Sequence, residues 1–100
     1  MVDAAVAEVA SDLESLIPLF MQTRQDNLAG LEAGLQAGDF RALEVIGHSM
    51  KGAGGAYGFP PVSTIGALIE TAAKGRDTES VSALAVRLRE YLANVQIRYI

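Results

Sequence analysis

The chain has no cysteine and only one histidine among its 100 residues. The lack of cysteine excludes disulfide bonds and thiolate metal sites, and it agrees with a reducing compartment. A single histidine also excludes the metal motifs that need two or more imidazoles. The sequence therefore predicts no metal site in this chain.

Positive charge and long apolar runs are also scarce. Eight lysines and arginines stand against twelve acidic residues, a formal charge of −4, and no basic stripe exists for a nucleic acid to bind. The longest apolar run is 16–21, far short of the roughly 20 residues that a membrane span needs. Residues 1–14 carry acidic side chains and no basic one, unlike a signal peptide. We expect a cytoplasmic protein without a nucleic-acid or membrane partner.

Strand signals are absent, and the hydrophobic pattern is helical. Apolar residues recur at spacings of three and four in segments that predict four amphipathic helices: to Gly38, Asp39 to Gly58, Pro61 to Gly75, and Asp77 onwards, with Val95 and Tyr99 included. Pro18 either starts the first helix or kinks it. Because the connections are short, neighbouring helices are expected to be antiparallel. The predicted fold is all-α, a single domain over residues 1–100 that forms an antiparallel up-down four-helix bundle, to which the acidic start can add a short N-terminal helix.

His48 lies in the middle of the second predicted helix. At about 100 degrees per residue, the residues that must enter the core fall near the opposite side of this helix: Leu43, Ile46, Met50 and Tyr57. His48 is therefore predicted to point into solvent. Its neighbours on the same face, at offsets of three, four and seven residues, are Arg41, Glu44, Lys51, Gly52 and Gly55.

The glycines around His48 divide into two pairs. Gly47 and Gly54 lie on a flank of the helix, where a missing side chain lets another helix come close. Gly52 and Gly55 lie beside the imidazole on the solvent side, where packing gives no reason to prefer glycine. An interior glycine costs a helix about 0.5–1 kcal/mol relative to alanine. We interpret the second pair as clearing space around the ring.

An exposed and uncrowded imidazole suits nucleophilic attack on phosphorus. The ring is mostly neutral near pH 7, so one of its nitrogens keeps a free lone pair. Attack would leave a dianionic phosphoryl group in solvent, and Lys51, one turn further along, could reach it as a mobile positive charge. No base for His48 other than solvent is predicted, and nothing else nearby looks catalytic.

A family resemblance is carried by the run HSMKGAGGAYG, which begins at His48 and ends at Gly58. It resembles the H-x-x-K-G signature of histidine phosphotransfer (HPt) domains of two-component phosphorelays, and the four predicted helices agree. The resemblance implies that His48 accepts a phosphoryl group from a receiver domain's aspartyl phosphate and passes it to another receiver. It implies that Lys51 steadies the phosphate and that Gly52 keeps the ring accessible. Many members have a hydroxyl residue where Ala53 stands, a minor departure.

The resemblance also implies the partners, which are response-regulator receiver domains, a hybrid sensor histidine kinase, or both. The chain has no Gly-rich nucleotide loop, so we expect no intrinsic kinase activity and no cofactor bound by this chain; magnesium is expected in the partner receiver domain. The protein is expected to be a monomer and a phosphocarrier rather than a true enzyme. Arg41, Glu44 and Val45, near His48 on the helix surface, are predicted to belong to the docking surface.

Two alternatives come from other function classes. A non-catalytic helical adaptor could keep the fold and bind a receiver domain without chemistry, although it would have little reason to keep His48, Lys51 and both clearing glycines together. A hydrolase is more distant. Gly47-His48-Ser49 begins like a nucleophile elbow, but Lys51 stands where that motif needs glycine, and no second histidine exists for a triad.

Overall fold

The computed structural model describes residues 6–100, and four α-helices make up most of that part of the chain. They are α1 (Ile17–Ala37), α2 (Phe40–Ala53), α3 (Pro60–Lys74) and α4 (Thr78–Asn94). Short 3₁₀ helices precede α1 and follow α2, at Ser11–Leu16 and Gly55–Tyr57. Two short strands, β1 (Val6–Val9) and β2 (Gln96–Tyr99), complete the fold. The prediction of four helices is confirmed.

Local sequence signals explain where the helices begin. Asp39 caps α2 by accepting a hydrogen bond from a first-turn backbone nitrogen at 3.0 Å, and Asp77 caps α4 in the same way at 3.1 Å. Pro18 lies in the first turn of α1 and Pro60 begins α3, positions where a missing N–H breaks no helical hydrogen bond. Gly38 ends α1 with a φ of 66°, a left-handed conformation that favours glycine. Each of these features agrees with the sequence prediction to within one residue.

The hydrophobic core lies where the four helices meet. α1 contacts α2 and α4, while α3 contacts α2 and α4, so each helix buries apolar surface against two others. The core residues with almost no exposed surface include Leu31, Leu43, Met50, Ile65, Ile69 and Leu88. Burying one such side chain stabilises the fold by roughly 1.5–3 kcal/mol, so packing contributes more to these helices than intrinsic helix propensity does.

Helices α2 and α3 approach each other so closely that their backbones are in contact. A Cβ atom built on Gly47 would lie 2.8 Å from the carbonyl oxygen of Gly66, and one built on Gly54 would overlap the backbone nitrogen of Ser63. Gly66, the contact of Gly47, comes after Ser63, the contact of Gly54, so the order of the contacts is reversed between the two helices. A side chain at Gly47 or Gly54 would push α3 away, which confirms the packing interpretation of this pair.

An aromatic cluster ties the turn between α2 and α3 to α1. The Phe20 ring stacks on Phe59 at 4.7 Å between centroids and lies 4.9 Å from the Tyr57 ring. The guanidinium of Arg24 lies 4.5 Å from the Phe20 centroid, and burial lowers the pKa of Arg24. The predicted apolar stripe of α1 thus contains a buried cation that faces an aromatic ring.

The expectation that the chain has no strands is wrong, although the fold is mostly helical as predicted. β1 and β2 pair in parallel, with Val6 opposite Gln96 and Val9 opposite Tyr99. Ala7 and Val9 are buried, so β1 packs on the bundle as well as on β2. Four-residue strands give too short an alternating pattern to be recognised, and they form here because two distant segments meet and bury one face.

Two predicted helix limits also need correction. α4 ends at Asn94 and does not continue through Val95 to Tyr99, because the last residues pair with β1. α2 ends at Ala53, and a 3₁₀ turn follows where the helix was expected to reach Gly58. The additional N-terminal helix is not confirmed. β1 and the 3₁₀ helix Ser11–Leu16 occupy the described part of the acidic start, and residues 1–5 lie outside the described range.

Candidate functional site

His48 lies in the middle of α2 with its imidazole directed outward. Its side chain is 71% exposed, whereas Met50, two residues further on, has no exposed surface. The prediction that the histidine faces solvent is therefore confirmed. The ring is not isolated, however, because its Nδ1 atom lies 2.8 Å from Oε2 of Glu70 on α3.

The Glu70 carboxylate links two side chains of α2. While Oε2 faces His48, Oε1 accepts a hydrogen bond from the Lys51 ammonium at 3.0 Å, and the Glu70 side chain is only 12% exposed. The hydrogen bond from Lys51, followed by that from His48, lowers the pKa of Glu70 below its usual range. Glu70 is thus ionised at neutral pH, with each oxygen facing a different α2 side chain.

The ionised Glu70 determines which nitrogen of the neutral His48 ring carries the proton. A carboxylate only accepts hydrogen bonds, so the Nδ1 atom at 2.8 Å must carry the proton and donate it. In a neutral imidazole the other nitrogen then has the lone pair. The arrangement leaves Nε2 as the unprotonated nitrogen on an exposed ring, which is the form that attacks an electrophile.

The close approach of α2 and α3 explains how Glu70 reaches both partners. A Cβ atom on Gly47 would lie 2.6 Å from the backbone nitrogen of Glu70, so only glycine lets the two helices come so near. The Glu70 side chain then extends along the surface of α2 towards the residues one and four positions after Gly47, His48 and Lys51. The packing glycine therefore positions the site as well as the fold.

The second glycine pair borders open space. A Cβ atom built on Gly52 would meet no atom within 4 Å, apart from its own helix backbone and chain neighbours, and one built on Gly55 would meet only the Ser63 hydroxyl at 3.7 Å. Both positions could hold alanine without a steric clash. The open space at Gly52, one turn after His48 on α2, agrees with the interpretation that this glycine keeps the surroundings of the ring clear. Gly55 lies beyond the end of α2, in the 3₁₀ turn, and the effect of both glycines on access remains a prediction.

The three predicted docking residues lie on the surface of α2. Arg41 is exposed and forms an ion pair with Glu44 at 3.5 Å, a type of exposed pair that contributes little stability. Val45, three residues before His48 on α2, is 52% exposed. The positions suit a docking role, which remains a prediction.

Glu70 is the functional residue that the sequence reasoning missed. The expectation that His48 has no candidate base other than solvent is wrong, because the Glu70 carboxylate lies 2.8 Å from its Nδ1 atom. A signal was present, since Glu70 is the one acidic residue within Pro60–Lys74. Its distance from His48 depends on how α3 is rotated against α2, which a helical wheel of α2 alone does not give.

The described part of the chain offers no metal centre and no membrane span. Within residues 6–100, no group of three or more His, Cys, Asp or Glu side chains could hold a metal ion. Both oxygens of Glu70 already face donors on α2, so this carboxylate is a poor start for a magnesium site. In the same range, every helix is too short or too polar to cross a bilayer.

The lowered pKa of Glu70 leads to a prediction for acid stability. A carboxyl group whose pKa is lower in the folded than in the unfolded state stabilises the fold above its unfolded pKa, and this contribution is lost as the pH falls through the folded pKa. We expect the free energy of unfolding to decline as the pH falls below about 4.5, and Glu70→Gln to reduce that decline. Denaturant titrations of both proteins at several pH values measure the free energy of unfolding. The exposed Glu14→Gln is the control, and an equal reduction in both variants would contradict the prediction.

Comparison with protein-family models gives a match to the Hpt domain over residues 15–97. Comparisons with curated proteins and with solved structures gave no significant match. The matched range begins just before α1 and ends within β2, and it contains His48, Lys51 and Glu70 together with all four helices. Because the match covers most of the chain, and an exposed histidine lies on the helix where the signature begins, this protein belongs to the Hpt domain family.

Proposed function

We propose that this Hpt domain carries a phosphoryl group on His48, which it accepts from the aspartyl phosphate of one receiver domain and passes to another. The observation that carries the proposal is an exposed imidazole whose Nδ1 atom lies 2.8 Å from a carboxylate oxygen of Glu70, which leaves Nε2 as the unprotonated nitrogen of the neutral ring. We also propose that the chain is a single cytoplasmic, monomeric domain whose four helices run antiparallel in an up-down bundle.

The proposed step is a displacement at phosphorus. The Nε2 lone pair of His48 forms a P–N bond while the P–O bond of the receiver's acyl phosphate breaks, and the bonding electrons leave on the receiver's aspartate carboxylate. The imidazole keeps its Nδ1 proton and becomes positively charged. Glu70, which accepts a hydrogen bond from that proton, then stabilises the phosphorylated ring. Transfer to the next receiver reverses these bond changes, because both the P–N and P–O bonds are labile.

Lys51 and the clearing glycines are proposed to serve the bound phosphoryl group. The Lys51 ammonium has three N–H donors, of which one reaches Glu70 at 3.0 Å, so others remain for phosphoryl oxygens. A Cβ atom on Gly52, one turn after His48, would meet open space, and one on Gly55 would meet only the Ser63 hydroxyl. A tetrahedral dianion on Nε2 and the approaching receiver both need that space.

The receiver is proposed to supply the rest of the chemistry. The chain contributes a nucleophile held on a packed helix, which lowers the barrier mainly through proximity and orientation. Mg²⁺ prefers carboxylate, phosphate and water oxygens, and we assign that ion to the acidic site of the receiver. The carboxylate nearest to His48 has a different role here, because it faces the Nδ1 atom.

Transfer from a phosphorylated receiver tests the proposal. A receiver domain carrying labelled phosphate is mixed with the wild-type chain, and the label on each protein is followed with time. We expect label on this chain that is stable in alkali and labile in acid, as a P–N bond requires, and none on His48→Gln. Binding of the receiver without transfer would contradict the proposal and favour the adaptor.

Lys51→Ala is expected to slow transfer less than the loss of His48 does. One charge-assisted contact in a half-exposed position accounts for about a tenfold loss of rate, whereas removal of the nucleophile abolishes the reaction. Single-turnover transfer rates measure the difference. Lys74→Ala, which also removes a charge from the α3 side of the site, is the control and should transfer normally. A loss at Lys51→Ala equal to that of His48→Gln would mean that its role is misassigned.

A further inference from the structure

A serine hydroxyl from α3 is inserted into the hydrogen-bond ladder at the end of α2. Ser63 Oγ accepts a hydrogen bond from the Gly55 nitrogen at 2.8 Å and donates one to the Lys51 carbonyl oxygen at 2.9 Å. Gly55 lies four residues after Lys51, so in an uninterrupted helix its N–H would donate directly to that carbonyl. The hydroxyl bridges the two groups instead, and the regular part of α2 ends here.

The chain around Ser63 is shaped to admit this hydroxyl. A Cβ atom on Gly54 would lie 2.7 Å from Ser63 Oγ, so glycine at this position makes room for the serine. The last regular bond of α2 joins the Gly54 nitrogen to the Met50 carbonyl at 3.1 Å. Beyond it the chain forms the 3₁₀ turn that ends at Gly58, where φ is 93°. An inserted side chain is a recognised cause of such breaks in helices.

Ser63 and Glu70 together hold both ends of Lys51. They are seven residues apart on α3, which places them within about 20 degrees of each other on the helix surface. Ser63 fixes the Lys51 carbonyl at 2.9 Å, and Glu70 fixes its ammonium at 3.0 Å. A lysine side chain is otherwise highly mobile, so two anchors on one rigid helix restrict where its charge can lie.

We infer that Ser63 is a positioning residue for phosphoryl transfer at His48, which it serves by setting where α2 ends and thereby where the Lys51 ammonium lies beside the ring. This inference rests on the proposed function. Without the hydroxyl, the Gly55 N–H can donate directly to the Lys51 carbonyl, which extends α2 and releases that carbonyl from α3. Lys51 then loses one of its two anchors on α3, and its ammonium is held by Glu70 alone.

Four variants test the inference in the transfer assay. Ser63→Ala should slow transfer by about tenfold, since small misplacements of a catalytic group have effects of this order or larger. Ser63→Thr keeps the hydroxyl and should transfer within about twofold of wild type. Thr64→Ala removes the neighbouring hydroxyl, which bonds only within α3 to Pro60 at 3.3 Å, and should have no effect. The double variant Ser63→Ala/Lys51→Ala should be no slower than Lys51→Ala, because Ser63 acts through Lys51.

The outcomes separate this inference from the proposed function. A normal rate in Ser63→Ala, or a further loss when it is added to Lys51→Ala, would overturn the positioning role, whereas a wild-type chain that takes no label would overturn the function itself.

The pKa of Glu70, followed by NMR, gives a readout apart from transfer. It should rise in Ser63→Ala, because the Lys51 hydrogen bond that lowers it most is weakened, and it should stay unchanged in Thr64→Ala. If Ser63→Ala does not fold, Ser63→Cys, which fills the same space with a weak donor and acceptor, replaces it in the same comparison with Lys51→Ala.

Discussion

Gly47→Val is expected to lower the free energy of unfolding by about 3 kcal/mol or more, the upper range for forcing a side chain into a packed contact. The Cβ atom alone would lie 2.6 Å from the Glu70 nitrogen and 2.8 Å from the Gly66 carbonyl oxygen. Both are backbone atoms of α3 that cannot rotate away, so the two helices must separate. Denaturant-induced unfolding followed by circular dichroism measures the change. A stability within 1 kcal/mol of wild type would contradict the packing role of this glycine.

Gly52→Val is expected to do the opposite, leaving the fold intact while slowing transfer by about a hundredfold. No atom beyond its own helix backbone and chain neighbours would lie within 4 Å of the new Cβ, so the stability should change by no more than about 1 kcal/mol. The branched side chain would instead occupy the space beside the imidazole of His48. Misplacement of reacting groups by about 1 Å is enough for a loss of this size.

Gly52→Ala is the matched control for the crowding argument. It adds one methyl group and should improve helix propensity by about 1 kcal/mol while reducing transfer much less than valine does. Single-turnover rates with the same phosphorylated receiver measure all three proteins. Normal transfer by Gly52→Val would contradict the view that this glycine keeps His48 accessible.

The two glycine substitutions separate roles that the sequence already divided. The positions of Gly47 and Gly52 relative to His48 follow from the helical repeat alone, and only the repeat was needed to predict that one faces another helix and the other faces solvent. The caps at Asp39 and Asp77 were predictable for a similar reason, since each depends on a side chain and a backbone nitrogen three residues apart. Features that one helix determines by itself could be read from the sequence.

Features that depend on two elements could not be read in this way. Glu70 reaches His48 only because of the rotation and the distance of α3 relative to α2, and both depend on the contact of Gly47 and Gly66. α2 ends where the hydroxyl of Ser63, a residue of α3, bonds to the Lys51 carbonyl. The length of α2 was therefore overestimated. β1 and β2 are stabilised by each other and by the bundle, although they lie at opposite ends of the described chain.

The structure changes how the histidine site is understood. The sequence predicts that His48 is a nucleophile with open space around its ring and a lysine one turn away. With α3 in place, its Nδ1 atom lies against a carboxylate at 2.8 Å, and the same carboxylate holds the lysine at 3.0 Å. The orientation of the His48 ring and the position of its proton are therefore set before a partner arrives, which is the contribution that a rigid bundle would make to the proposed transfer.

The position of the phosphoryl group on His48 tests this account most directly. The chain is prepared with ¹⁵N-labelled histidine and phosphorylated by a receiver domain, and NMR identifies the ring nitrogen that is bonded to phosphorus. We predict a single product with phosphorus on Nε2 and the proton still on Nδ1, next to Glu70. Phosphorus on Nδ1, on another residue, or on neither nitrogen of His48 would contradict the account.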